Sequence, residues 1–181
     1  MAEAIKYAII RDEKLFSFIE NNYSQVLACE PKALEHLVYQ CAKIKAEIVG
    51  LDEVEKKGIR TILNFGHTIG HAIEAAGGYA KYGHGEAVGL GILAAVKISL
   101  DMKMLPQEDS QRIFDLIAKA GLPQKIKGIK EAKILKIYKL DKKFLGRTNR
   151  FVLLKCIGTP AIRENVPERI IAGAIRGLIY Q

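Results

Sequence analysis

The sequence predicts a mostly α, multi-helix domain with one minor β-hairpin near residues 145–160. Apolar residues recur at helical spacing along most of the chain. Proline and glycine punctuate that pattern at Pro31, Gly77-Gly78, Pro106 and Gly121-Leu122-Pro123. A single β-type run, Arg150 to Ile157, lies between Gly146 and Gly158-Thr159-Pro160.

The elements follow in order. Helices are expected over roughly 1–20, 32–49 and 59–76, with Asn21, Asn22, Pro31 and the Gly77-Gly78 pair as breaks. From Gly85 the run EAVGLGILAAVKISLDMKM reads as a buried helix whose small residues permit close packing, and Gly89-Leu90-Gly91 inside it reads as packing rather than a nucleotide loop. Pro106 closes that helix, and another covers about 107–120. A short basic helix is expected over 130–143, then the strand, then a last helix over about 167–180.

Length and composition bound the function. With 181 residues, 49% of them apolar, the chain can build the core of a single domain over 1–181. No stretch approaches eighteen uninterrupted apolar residues, and MAEAIKYAIIRDEK carries charges where a signal peptide needs an apolar run. A cytoplasmic protein without a membrane partner is expected. Cys29, Cys41 and Cys156 are odd in number, widely spaced and set among apolar neighbours, so reduced core thiols are expected rather than disulfides. The net charge of +8 comes from lysines interleaved with acids, and the lysine-rich 125–143 stretch lacks aromatic interleaving. That pattern favours a solvated face over a nucleic-acid groove.

The chemistry concentrates in Arg60 to Glu86, which holds three of the four histidines. Read as one helix, Arg60, Asn64, His67 and His71 share a stripe at i, i+4, i+7 and i+11, opposite Ile62, Ile69 and Ile73. His67 and His71, one turn apart, could bind a metal together, with His84 from the Gly83-His84-Gly85 turn as a third ligand. Glu3, Glu74 and Glu86 are the available carboxylates, and spacing does not choose among them. His36, in ALEHLVYQ, reads as an ordinary helical histidine.

Several motifs carry a resemblance: Ala2-Glu3-Ala4-Ile5-Lys6-Tyr7, Lys45-Ala46-Glu47, Asp52-Glu53, Gly58-Ile59-Arg60, Leu63 to Glu74, and His84-Gly85-Glu86-Ala87-Val88. Gly121-Leu122-Pro123, Asp141-Lys142-Lys143 and Phe151 to Leu154 continue them in order. Together they resemble the C-terminal domain of the 3-dehydroquinate synthase family across nearly the whole chain. The resemblance implies the helical architecture shared by dehydroquinate synthases and iron-type alcohol dehydrogenases, here as the C-terminal half of a two-domain enzyme.

The implied reaction belongs to the shikimate pathway. Zinc or cobalt and NAD would convert the phosphorylated seven-carbon acid DAHP into 3-dehydroquinate, through transient oxidation, phosphate loss, re-reduction and an aldol closure. By matching motif, Glu3, His67 and His84 would hold the metal. His71 and Asn64 would face the phosphate, joined by one of Lys142 and Lys143, with Lys142 favoured, while Lys45 and Arg60 would bind the carboxylate and Lys6 a ring hydroxyl. His71 is thereby moved from the two-histidine clamp to the substrate. NAD would be held mainly by an N-terminal domain that this chain lacks, so the isolated chain is expected to bind metal weakly and not to turn over; the resemblance also implies a homodimer.

One departure touches the site. The acidic segment of the family runs Asp-Glu-x-Glu-x-Gly-x-Arg, whereas Asp52 to Arg60 holds one extra residue, so Glu55 is displaced from the pattern. The rival readings are another sugar-phosphate cyclase, a metal-dependent polyol dehydrogenase, or a non-catalytic metal-binding helical module that mediates assembly.

Overall fold

Eight helices and one antiparallel hairpin make up the fold in a computed structural model, which describes residues 1–54, 56, 58–144 and 148–180, with backbone alone for 141–144. The helices are α1 (Ala2–Arg11), α2 (Glu13–Leu27), α3 (Pro31–Leu51), α4 (His67–Ala76), α5 (His84–Asp101), α6 (Gln107–Lys119), α7 (Glu131–Phe144) and α8 (Glu168–Leu178). A 3-10 segment, Ile59–Asn64, precedes α4, and strands β1 (Arg150–Cys156) and β2 (Thr159–Glu164) precede α8.

Helix α5 is the centre. Every residue from Ala87 to Val96 is buried, so the helix is apolar on all sides and must be enclosed. Helices α1, α4, α6 and α8 and strand β1 surround it. Each fully buried large side chain in this core, such as Phe16, Phe65, Ile92 or Leu93, adds about 1.5–3 kcal/mol relative to exposure. None of the described helices is long and apolar enough to cross a membrane.

The expected helix over 1–20 is two helices. The backbone turns extended at Asp12, whose Oδ1 accepts from the N–H groups of Lys14 (2.9 Å) and Leu15 (3.0 Å) and so starts α2. Such an N-cap is worth about 1 kcal/mol. The hairpin turn completes the break, because the Gly158 N–H donates to the free Ile9 carbonyl at the end of α1, at 2.8 Å. Asn21 and Asn22, expected as breaks, lie inside α2. The Asn22 amide donates back to the Phe18 carbonyl at 2.8 Å and leaves the helix intact.

The expected helix over 59–76 is also divided. Gly66 adopts φ +79°, and a Cβ there would press on Ile92. Arg60 and Asn64 therefore lie on a 3-10 segment with its own phase, and only His67 and His71 remain a turn apart on α4. The single four-residue stripe does not exist.

The hairpin pairs Arg150 with Glu164 through Leu154 with Pro160, slightly later in the chain than expected, and has an irregularity between Leu154 and Cys156. Buried Ser99 on α5 donates to the Ala95 carbonyl (2.7 Å) and accepts from the Leu154 N–H (3.0 Å), fastening β1 to the central helix. β2 lacks a strong strand signal because Pro160 interrupts it, a residue tolerated where no ladder donor is needed. The cysteines are free thiols, as expected; Cys41 is half-buried against the core and Cys156 is partly buried, whereas Cys29 is exposed and departs from the expectation of a core thiol. Lysines 125, 127, 130, 133, 136 and 139 are all exposed, the solvated face that their pattern predicts.

Candidate metal and anion site

Three elements converge. α1 brings Glu3 and Lys6 in its first turns, α4 begins with His67, and α5 begins with His84. His84 is thus the first residue of a helix rather than part of a turn. One ligand atom from each of Glu3, His67 and His84 lies within 4.8 Å of the others. His71 is not in that set. Its ring stands edge-on to His67, with centroids 5.3 Å apart, and 6.3 Å from His84.

Small residues let α4 and α5 approach closely enough to bring these rings together. Gly70 faces the Ala87 backbone, where a Cβ would lie 3.1 Å from the carbonyl oxygen, and Gly91 faces Gly66 in the same seam. Gly83 starts α5, and the Glu86 carboxylate reaches back to accept its N–H at 2.8 Å. Glu86 thereby caps the start of the helix and is not in the cluster that could hold a metal. Its place three residues after the N-cap Gly83 was readable in the sequence.

Each imidazole has its Nδ1 engaged. His67 Nδ1 lies 3.1 Å from the Phe65 carbonyl oxygen, and His84 Nδ1 lies 3.2 Å from Glu74 Oε1. Both acceptors require the proton on Nδ1, which leaves Nε2 with a lone pair, the form that ligates metals. Burial holds the His67 imidazole below the ordinary histidine value, with Lys6 and His71 pushing the same way against the Phe65 carbonyl and Glu3. It is neutral at pH 7.

Glu3 divides its carboxylate. Oε2 accepts from the buried Lys6 ammonium at 2.8 Å. Oε1 is closed off from water without a hydrogen bond and faces His67 Nε2 at 3.4 Å. With His67 neutral and its proton on Nδ1, these are two acceptors aimed at one another, an arrangement that repels unless a cation lies between them. One carboxylate and two imidazoles are a donor set suited to zinc, with a further position left for water or substrate.

Of the remaining predicted residues, Lys45 lies on α3 and Arg60 and Asn64 on the 3-10 segment, both of which pack against α1. Lys45 is exposed on α3. The buried Asp52 accepts from the Ile59 N–H at 2.9 Å, tying the end of α3 to the start of the 3-10 segment, and the Arg60 guanidinium donates to the Glu53 carbonyl at 3.3 Å. Asn64 is exposed at the end of that segment, beside a shallow crevice with Gly66, Thr68 and Phe151. The side chain of Lys142, and Glu55, lie outside the described residues. His36 stacks at a tilt on Phe18, with ring centroids 4.3 Å apart, away from the cluster.

The family model described as 3-dehydroquinate synthase C-terminal matches residues 1–144. The 3-dehydroquinate synthase of Thermoanaerobacter pseudethanolicus is 43% identical over 171 residues, 94% of this chain and 48% of that protein. That of Acidithiobacillus ferrooxidans is 41% identical over 179 residues, 99% of this chain and 49% of that protein. The chain spans about half the length of the curated relatives it matches. Among solved structures, 2-deoxy-scyllo-inosose synthase complexed with carbaglucose-6-phosphate, NAD+ and Co2+ superposes with a TM-score of 0.83 at 30% identity, covering 99% of this chain and 51% of that one. The 2-epi-5-epi-valiolone synthase ValA from Streptomyces hygroscopicus, with NAD+ and Zn2+ bound, shares the fold at a TM-score of 0.87 and 20% identity, covering 98% and 49%.

Proposed function

The chain belongs to the 3-dehydroquinate synthase family, and we propose that it is the metal- and substrate-binding half of an enzyme converting DAHP into 3-dehydroquinate and phosphate. The observation that carries this reading is the Glu3, His67 and His84 set, with His67 Nε2 facing Glu3, the Nδ1 of both imidazoles engaged by acceptors, and a buried lysine beside them. A divalent cation and NAD+, the latter held by an N-terminal half in the same chain or a partner, would supply Lewis-acid polarisation and a reversible hydride acceptor.

The side chains have distinct tasks in this reading. Lys6, already fixed by Glu3, meets a ring hydroxyl and holds its oxygen beside the ligand cluster. Arg60 offers a planar fork to the substrate carboxylate, and Lys45 adds a second positive charge there. Asn64, His71 and Lys142 receive the phosphate, and the exposed His71 ring can carry a proton at the phosphate oxygen that departs. Fixed cations around a site that loses phosphate stabilise the developing charge without rearrangement.

The test measures phosphate release from DAHP with NAD+ and Zn2+, using the chain alone and the chain mixed with the separately expressed N-terminal half of the Thermoanaerobacter relative. Release in the mixture alone, abolished by His71→Ala, is expected. Turnover of glucose 6-phosphate in preference to DAHP would instead make it another sugar-phosphate cyclase. No turnover of either, with an oligomeric state that changes in Glu3→Ala or His84→Ala, would support a metal-binding assembly module.

A further inference from the structure

We infer that Glu74 is a positioning residue for the metal site, holding the His84 imidazole in the tautomer and orientation that point its Nε2 at Glu3 and His67. The inference rests on the metal reading given above. It concerns a residue outside the three-residue ligand set.

The two imidazoles are held in different ways. His67 is enclosed, with 14% of its side chain exposed, and its Nδ1 is engaged by a backbone carbonyl that no substitution removes. His84 is 54% exposed and meets the His67 ring edge-on with centroids 5.7 Å apart, so packing holds its ring less closely than that of His67. The hydrogen bond that restrains it runs from Nδ1 to Glu74 Oε1, at 3.2 Å. Glu74 is itself well placed to act as a fixed acceptor, with only 13% of its side chain exposed. Helix α4 thus supplies one ligand at its first residue, His67, and two turns later the carboxylate that orients the ligand from α5.

A carboxylate behind a ligating imidazole does two things. It keeps the proton on Nδ1, leaving the Nε2 lone pair free, and it raises the basicity of that lone pair. A freely rotating, exposed His84 would have to be ordered whenever metal binds, and would spend part of its time in the other tautomer. Removal of an outer partner of this kind typically weakens metal affinity by about 10–100-fold.

Zinc affinity by chelator competition, and the visible spectrum of the Co2+-loaded chain, test the inference without reference to turnover. Glu74→Ala is expected to weaken Zn2+ binding by about 10–100-fold. Glu74→Gln, whose amide oxygen still accepts from Nδ1, should lose less. At saturating Co2+ the Glu74→Ala spectrum should match that of the unsubstituted chain, because the ligands are unchanged. Glu86→Ala serves as the control, since Glu86 caps α5 beside His84 by accepting the Gly83 N–H.

Unchanged zinc affinity in Glu74→Ala, alongside losses in His67→Ala and His84→Ala, overturns the inference and leaves the metal reading standing. An equal loss in Glu86→Ala also overturns it, by assigning the effect to the helix start. An altered spectrum in Glu74→Ala at saturating Co2+ does so as well, by making Glu74 a ligand. If the unsubstituted chain binds Zn2+ no better than His67→Ala, the metal reading itself fails.

Discussion

A Cβ on Gly91 would overlap the carbonyl oxygen of Gly66 and stand 2.8 Å from the Gly70 N–H. Two helices are therefore in backbone contact immediately behind the ligand cluster. Gly66 precedes His67, so any widening of this seam moves His67 relative to His84 on the opposite helix. The stability of the core and the geometry of the site are coupled at one position.

Gly91→Ala should accordingly destabilise the chain by about 2 kcal/mol, the cost of overpacking exceeding the better helix propensity of alanine. Zinc affinity should fall with it. Gly173→Ala on α8 is the matched comparison, because nothing lies within 4 Å of a Cβ there. That variant should gain roughly 0.5–1 kcal/mol. Urea denaturation of both variants checks the pair, and equal effects would remove the seam as the cause.

The helical class, most element positions and the packing role of Gly89-Leu90-Gly91 were legible in the sequence, because period and punctuation are local properties. Two divisions were not. The break at Asp12 depends on a carbonyl of α1 being taken by Gly158, about 150 residues away. The break at Gly66 depends on Ile92. Helical spacing alone paired His67 with His71, whereas the cluster that could hold a metal takes one residue from each of three helices. Glu74 was visible as a carboxylate but not as a partner of His84, since ten residues and a turn separate them. A family pattern could indicate Glu3, but only the fold reveals that its two oxygens face different neighbours.

That division of the Glu3 carboxylate makes a second expectation. Glu3→Gln leaves the Lys6 ammonium, 4% exposed in its side chain, without its acid. Breaking a fully buried pair costs about 3–5 kcal/mol, and the 42% exposure of the Glu3 side chain reduces this to roughly 1–2 kcal/mol. Glu3→Gln should also lose more metal affinity than Glu74→Ala, because a ligand rather than its support is removed. The double variant Glu3→Gln/Lys6→Met should recover stability without recovering zinc. Recovery of both, by thermal unfolding and chelator competition, would exclude Glu3 as a ligand.

The cysteines provide a check on the α1–α3 contact beside the site. Burial pushes the Cys41 thiol up to about 11, and the Glu3 carboxylate adds to the rise. Only the thiolate is alkylated, so at pH 8 about one Cys41 in a thousand is reactive. Cys29 is exposed at the turn between α2 and α3. Iodoacetamide followed by peptide mass mapping should therefore label Cys29 first, with the Cys41 rate rising about tenfold per pH unit until it levels near 11. In urea, where burial is lost, the two should react at comparable rates. Labelling of Cys41 as fast as Cys29 in the folded chain at pH 8 would mean that α3 does not close over α1. Lys45, one turn beyond Cys41 on the same helix, would then have no fixed position from which to meet an anion.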